Sequence, residues 1–294
     1  MPVDSTNWTR NGWTDLHLMA VLIMVFSALW VCREAWQDIF LIAARDEENS
    51  HIFLVPFVMF WLVWVRRQRF RFCYPTGQWV GPLIAGLGAF MSWYGYNHAV
   101  QASWHVGAVV IAVGAFTSVM GTQVLWRFAP AFVTLLFLVP VPGLIRQEIA
   151  IPLQRWTALI TTETLTTFGV SVSQSGSVLE INGMQVGIAE ACNGMRMVFA
   201  LLLVSFAFAF GTPLRNSVRV FIVLLSPVSA ILCNVVRLSP TVWVYGALGE
   251  GAGKLVHDLG GWVMIGVAFF LLLGIKSLLE WALIPVTPYV LARD

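Results

Sequence analysis

The chain contains eight runs of apolar residues, most of them close to the length that a helix needs to cross a lipid bilayer. A hydrocarbon core about 30 Å thick requires about 20 mainly apolar residues per helical crossing. Several runs are shorter than this, so we expect their helices to extend into the flanking polar segments. The runs cover approximately residues 16–31, 51–65, 79–96, 105–121, 124–142, 196–212, 218–236 and 260–280.

The composition agrees with a membrane protein. Hydrophobic residues make up 58% of the chain and charged residues 11%, with a mean hydropathy of +0.78. We therefore predict an all-α polytopic integral membrane protein with about eight transmembrane helices. No linker or low-complexity run suggests a second domain, so residues 1–294 are expected to form a single transmembrane domain. Residues 25–30 offer no clean small-residue cleavage site, and we expect the first run to be retained rather than removed as a signal peptide.

Several classes of ligand are not expected. No basic tract indicates a nucleic-acid partner. No histidine pair has metal-ligand spacing, and the cysteines form neither a metal knuckle nor a CxxC redox motif. We predict no metal and no cofactor, and a disulfide framework is not expected. The four cysteines are Cys32, Cys73, Cys192 and Cys233.

The positions of the basic residues predict the orientation of the chain. With eight crossings, ten basic and four acidic residues fall on one side, and seven basic and eleven acidic residues fall on the other. Basic residues concentrate on the cytoplasmic side of membrane proteins, so both termini are predicted to be cytoplasmic. The outer face then receives residues 32–50, 97–104, 143–195 and the loop 237–259.

The 143–195 segment is the longest of these outer segments. Two prolines in residues 138–143 end the fifth run, and residues 144–168 mix apolar and charged side chains, which predicts an interfacial amphipathic helix. Beyond it, residues 171–188 alternate polar and β-branched types around Asn182-Gly183. This pattern predicts a small hairpin that leads directly to Cys192.

Three chemically active residues lie at outer edges of apolar runs. Cys192 can act as a nucleophile, Arg237 is a fixed cation, and His257 is a titratable base. The topology was derived without assuming a role for any of them, yet it places all three in one compartment. One site could therefore use all three side chains.

The motifs around these residues, in their order and spacing, resemble the exosortase/archaeosortase family. The resemblance implies a membrane-embedded cysteine transpeptidase or protease that cleaves a C-terminal sorting signal, typically a Pro-Glu-Pro-like motif followed by a transmembrane helix and a basic cluster. It implies membrane-anchored protein substrates and membrane lipid as partners, and an active site on the periplasmic side of a bacterial inner membrane. The motifs are EACNGMR at 190–196, NVVR at 234–237, HDLGG at 257–261, SHIFLVP at 50–56 and FLVPVP at 137–142.

By motif match, Cys192 would be the nucleophile, with Arg237 and His257 completing a sortase-like triad. Asn193 departs from the serine that is common at this position. The chemistry is reasonable without the family name, because a helix N-terminus and a nearby cation both lower a thiol pKa. His257 could protonate the leaving amine and Arg237 could hold the oxyanion, with a thioester as intermediate. Candidates for substrate-binding or supporting roles are Glu190, Asn193, Gly194, Arg196, Asn234 and His51.

Simpler explanations exist for several of these residues. Free cysteines are usually buried, so Cys32, Cys73 and Cys233 are predicted to be core residues. Asn234 and Arg237 share a helix face, which could bind substrate or tie two helices together. Arg196 could bind an acidic residue of the sorting motif, lower the thiol pKa or form a salt bridge. His51 could line the site or stabilise the start of its helix.

Two other functions stay open at this point. The first is a non-enzymatic transporter or assembly factor for exported polysaccharide, in which arginines would bind anionic substrate and Cys192 would be dispensable. The second is a membrane acyltransferase that uses the same thiol on lipid.

Overall fold

The computed structural model describes residues 12–76, 79–187 and 194–281. The chain divides into two compact units, Met1–Pro142 and Gly143–Asp294. Helices make up most of both units, in agreement with the predicted fold class. That residues 1–294 act as a single domain stays a prediction.

The described part of the first unit is built from helices. Its fifth predicted crossing, residues 124–142, is divided into short segments, because Pro130 in the first turn of α7 cannot donate the hydrogen bond that would continue α6. The helices are α1 (Asp15–Val31), α2 (Arg33–Arg45), α3 (Val55–Val65), α4 (Val80–Asn97), α5 (Gln101–Met120), α6 (Thr122–Arg127) and α7 (Ala129–Thr134). The described part of this unit also contains 3-10 helices at Glu47–Leu54, Arg67–Phe72 and Leu135–Leu138.

Glycines allow α4 and α5 to pack with their backbones close together. A Cβ atom built at Gly88 would lie 2.7 Å from the Ile111 nitrogen, and one at Gly114 would lie 2.7 Å from the Ala85 Cα. Small residues permit such close approach between apolar helices. The glycines recur every seven residues on each helix, at 81, 88 and 95 on α4 and at 107 and 114 on α5.

In the residues that the structure describes, the second unit combines four helices with a small antiparallel sheet. The helices are α8 (Gly143–Thr167), α9 (Gly194–Gly211), α10 (Asn216–Leu248) and α11 (Glu250–Trp281). Between α8 and α9 lie the strands β1 (Val172–Ser175), β2 (Val178–Ile181) and β3 (Met184–Gly187), in the order β1-β2-β3. A helix at the predicted position 144–168 is confirmed as α8, and its location at the membrane interface stays a prediction.

The predicted hairpin at Asn182-Gly183 is also confirmed. Ile181 pairs with Met184 across the two-residue turn, and Asn182 and Gly183 have φ values of 52° and 76°. Positive φ at both central residues is the conformation that favours an Asn-Gly hairpin. The structure adds a third strand, β1, which pairs with β2 from Val172↔Ile181 to Ser175↔Val178.

The sheet packs against α8 and α10 to form the main hydrophobic core of this unit. Strand residues from β2 and β3 contact one face of each helix, so the sheet is held beside the middle of α10. The buried members of this core are Ala158, Leu165, Leu179, Ile181, Val186, Leu238 and Val242.

Three helical stretches are long and apolar enough to cross a membrane in the part of the chain that the structure describes. They are Glu48–Val65, Gln101–Met120 and Asn216–Leu248, and the number rises to five if each of two bent helix pairs counts as one crossing. These stretches agree with a polytopic membrane protein. The count of eight crossings stays a prediction.

The predicted loop at residues 237–259 is wrong. Helix α10 continues through Pro240 to Leu248, and α11 begins at Glu250. The 33 residues of α10 extend for about 50 Å, which exceeds the thickness of a hydrocarbon core. Hydropathy indicates where an apolar stretch ends, but it does not indicate where the helix ends.

Candidate active site

The structure describes some of the predicted site residues and not others. Glu190, Cys192 and Asn193 lie outside the described residues. Gly194 is the first residue of α9, and Arg196 lies in the first turn of that helix. The geometry of the candidate site is therefore built from α8, α10 and α11.

Helices α10 and α11 form a tight antiparallel pair. Gly249 joins them with a φ of 86°, a left-handed conformation that suits glycine at the end of a helix. Its N–H donates to the Tyr245 carbonyl at 3.1 Å. Beside this turn, a Cβ atom at Gly253 would lie 2.5 Å from ring carbons of Tyr245, so the two helices contact each other closely as soon as the chain reverses.

Arg237 lies on the face of α10 that packs against α11. A Cβ atom at Gly260 would lie 3.0 Å from Arg237 Cγ and 3.5 Å from Cδ, so the aliphatic part of the arginine occupies the space that a side chain at 260 would take. Arg237 is 9% exposed, and its Nε is buried with no hydrogen-bond partner within the described part of the chain. Burial of an arginine donor without a partner is costly, which is typical of a functional site.

His257 lies on α11, the second helix of the same pair. It is half-buried and lies three residues before Gly260 on α11, so the two residues share a helix face. Three residues correspond to about 4.5 Å along a helix axis. Because Gly260 contacts Arg237, the predicted partners Arg237 and His257 lie on facing sides of one helix pair, within about one turn of each other.

Asn234 lies one turn before Arg237 on α10 and contacts α8. Its Nδ2 donates to Thr157 Oγ1 at 3.3 Å, and Asn234 is 2% exposed. Its Oδ1 is buried and accepts no hydrogen bond from any residue that the structure describes. This side chain ties two helices together, as one of the two explanations expected, and it also retains an open acceptor atom beside Arg237.

Thr157 of α8 is a polar residue of the candidate site that the sequence analysis missed. It is fully buried, as is Thr161 one turn later, on the helix face that carries Leu153, Ala158 and Leu165. The sequence feature that could have indicated this residue is a threonine at a core position of an otherwise apolar helix face. Gly260 is part of the motif HDLGG at 257–261, and its role in making room for Arg237 is visible only in the folded chain.

His51 belongs to the first unit. Its Nδ1 lies 3.2 Å from the Glu48 carbonyl oxygen, and its ring also hydrogen bonds to the backbone of Phe137. His51 is buried within the 3-10 helix that precedes α3. These contacts match the expected helix-stabilising role and link two of the family-like motifs, whereas a role in lining the active site stays a prediction.

The remaining cysteines behave as predicted. Cys32, Cys73 and Cys233 are free and buried. Their burial is that of small core residues. Cys192 thus remains the one cysteine in this sequence that is proposed to react.

Comparisons with known proteins support the resemblance seen in the motifs. No curated protein and no solved structure matches the chain. A protein-family model described as Transmembrane exosortase (Exosortase_EpsH) matches residues 36–274. This match covers most of the chain, including the segments of Cys192, Arg237 and His257, and the chain therefore belongs to the transmembrane exosortase family.

Proposed function

We propose that this protein is a cysteine transpeptidase or protease that cleaves C-terminal, Pro-Glu-Pro-like sorting signals of membrane-anchored proteins. Cys192 is the nucleophile, Arg237 stabilises the oxyanion, and His257 is the general acid and base. Membership of the exosortase family suggests a membrane transpeptidase role in sorting. The observation that carries the assignment of residues is the contact of Arg237 with Gly260, one helical turn from His257.

The position of Cys192 in the chain supports its role. Cys192 is two residues before Gly194, the first residue of α9. The partial positive charge at a helix N-terminus stabilises a thiolate, and so does a neighbouring cation, the role proposed for Arg196. Strand β3 ends at Gly187, five residues earlier, and its sheet packs on α10 at Leu238 and Val242, next to Arg237.

The proposed reaction has two steps. The Cys192 thiolate attacks the scissile carbonyl, and the developing oxyanion accepts hydrogen bonds from the Arg237 guanidinium. When the C–N bond breaks, His257 gives its proton to the leaving amine, and the acyl group remains on Cys192 as a thioester. An incoming amine, or water, then loses a proton to His257 and attacks the thioester, which releases the thiolate.

The proposal includes the location of the site. We place the protein in a bacterial inner membrane as a multi-pass protein with eight crossings, both termini in the cytoplasm and the active site on the periplasmic side. The distribution of basic residues supports this orientation. A substrate helix in the bilayer would then present its cleavage motif at the outer interface, beside the helix pair that carries Arg237 and His257.

Mass spectrometry of a co-expressed reporter tests the proposal. The reporter ends in a Pro-Glu-Pro-like motif, an apolar helix and a basic tail, and it is expressed with the wild-type protein or with Cys192→Ala. We expect a cleaved reporter, or a peptide thioester on Cys192, with the wild-type protein and not with Cys192→Ala. Cys73→Ala is the matched control, because it removes a buried thiol far from the proposed chemistry in sequence, and it should process the reporter like the wild type.

Other results would favour the other functions. Equal processing by the wild type and Cys192→Ala would exclude a nucleophilic role for this thiol and favour a transporter or assembly factor. A lipid adduct on Cys192 in place of a peptide adduct would favour a membrane acyltransferase.

A further inference from the structure

We propose that Thr157 of α8 is a positioning residue of the active site, which holds the amide of Asn234 so that its Oδ1 accepts a hydrogen bond from a backbone N–H of the bound sorting signal. This inference rests on the proposed function. Thr157 lies outside the family-like motifs, and its proposed role requires a specific contact between Asn234 and the peptide substrate.

The hydrogen bond to Thr157 fixes the orientation of the Asn234 side-chain amide. Asn234 Nδ2 donates to Thr157 Oγ1 at 3.3 Å, and both residues are buried. An amide whose NH2 group is fixed in this way has its oxygen directed elsewhere. That oxygen, Oδ1, is buried and accepts no hydrogen bond within the residues that the structure describes.

The hydroxyl group of Thr157 has a different kind of hydrogen-bond partner from the hydroxyl groups of other threonines on the same helix. Thr164, Thr166 and Thr167 donate to the backbone carbonyl four residues earlier, at 2.6 to 2.8 Å. Threonine commonly forms this local bond in a helix. The Thr157 hydroxyl instead contacts a side chain on another helix, 77 residues away in sequence.

A peptide offers the groups that this site lacks. Asn234 Oδ1 requires a donor, and the Arg237 Nε, buried and unpartnered within the described chain, requires an acceptor. The two residues are three positions apart on α10, so their side chains are neighbours on one face. An extended peptide presents both N–H and C=O groups along its backbone, and one segment can satisfy both atoms, whereas a lipid acyl chain supplies no donor for Asn234.

Kinetics of the membrane-embedded protein test the role of Thr157. The full-length chain in lipid nanodiscs is assayed with a synthetic sorting-signal peptide that the wild type cleaves. Thr157→Val is nearly isosteric and removes the hydroxyl, and we expect kcat/KM to fall about tenfold, the scale of one lost hydrogen bond to substrate. Thr157→Ser keeps the hydroxyl and should stay within about twofold of the wild type.

Thr161→Val is the matched control. Thr161 lies one turn after Thr157 on α8 and is equally buried, but its Oγ1 has no partner among the described residues. We expect this variant to keep the wild-type kcat/KM. Equal kinetics for the valine variants at 157 and 161 would overturn the inference while leaving the proposed function intact.

A double-mutant cycle separates positioning from general packing. In an Asn234→Ala background, Thr157→Val should cause no further loss, because the amide that it positions is already gone. An additional tenfold loss in that background would mean that Thr157 acts only on packing. If Thr157→Val does not fold, Thr157→Ala removes the same hydroxyl and is measured in the same cycle. Failure of the proposed function gives a different result, namely peptide cleavage that survives Cys192→Ala.

Discussion

Arg237 and Gly260 fit together across α10 and α11, with the aliphatic part of the arginine against the Cα of the glycine. The distance of 3.0 Å between Arg237 Cγ and a Cβ built at 260 is tighter than ordinary van der Waals contact. The absence of a side chain at 260 therefore determines where the guanidinium can be. This contact lies one helical turn from His257.

A methyl group at position 260 is expected to reduce activity more than stability. In Gly260→Ala, the Arg237 stem has to move by a few tenths of an ångström or more, and small misplacements of catalytic groups are costly. We expect reporter cleavage to fall about tenfold while the thermal midpoint stays close to that of the wild type. Gly274→Ala on the same helix is the control, because a Cβ there meets no atom of the described residues within 4 Å. Equal activity of the two alanine variants would show that the Arg237 position is not critical.

Lysine is expected to be a poor replacement for Arg237. A planar guanidinium presents a fixed fork of donors, whereas an ammonium is a flexible point charge. Cleavage by Arg237→Lys should therefore be nearly as low as cleavage by Arg237→Ala. Full activity of the lysine variant would show that Arg237 contributes only its positive charge and not the geometry of its donors. The comparison is made with equal amounts of membrane-inserted protein, measured by quantitative immunoblot.

The sequence predicted local features well where one physical rule dominated. Apolar runs predicted the helices, and Asn182-Gly183 predicted a turn that requires two positive φ values. The helix after residue 143 followed from the two prolines that precede it. In each case the signal was contained in a few adjacent residues.

Features that depend on distant contacts could not be predicted in the same way. The loop prediction at 237–259 failed because a buried arginine can lie inside a long helix when a neighbouring glycine makes room for it. The bond between Asn234 and Thr157 joins residues 77 positions apart, and no local pattern indicates it. Arg237 and His257 lie on one helix pair because the chain reverses at Gly249, and hydropathy does not indicate this tight turn.

The glycines between α4 and α5 are expected to be necessary for stability. A Cβ at Gly114 would lie 2.7 Å from the Ala85 Cα, a backbone atom that cannot move without displacing the helix. Overpacking of this kind costs about 1–3 kcal/mol, so Gly114→Ala should lower the thermal midpoint in detergent. Gly86→Ala on α4 is the control, since its Cβ meets no described atom within 4 Å, and it should be neutral or stabilising by up to about 1 kcal/mol. Equal midpoints for the two variants would contradict close backbone packing.

The cysteines are expected to differ in reactivity. Burial raises the pKa of the Cys73 thiol, an effect that the positive charge of Arg127 partly offsets. A raised thiol pKa leaves less thiolate at a given pH and slows alkylation. At neutral pH, iodoacetamide should therefore label Cys192 first, and peptide mapping by mass spectrometry should find Cys73 largely unmodified. Faster labelling of Cys73 than of Cys192 would count against an activated nucleophile.

The contact between His105 and Asp38 is expected to stabilise the first unit. His105 is fully buried, its Nε2 lies 3.0 Å from Asp38 Oδ2, and Gln101 also donates to that oxygen at 2.7 Å. Asp38→Ala would leave the buried imidazole without this partner, which costs about 1–3 kcal/mol and should lower the thermal midpoint. Glu250→Gln is the control, because it weakens an exposed ion pair with Lys254 that contributes little to stability, and its midpoint should not change. A midpoint for Asp38→Ala equal to that of Glu250→Gln would show that His105 is stabilised by packing alone.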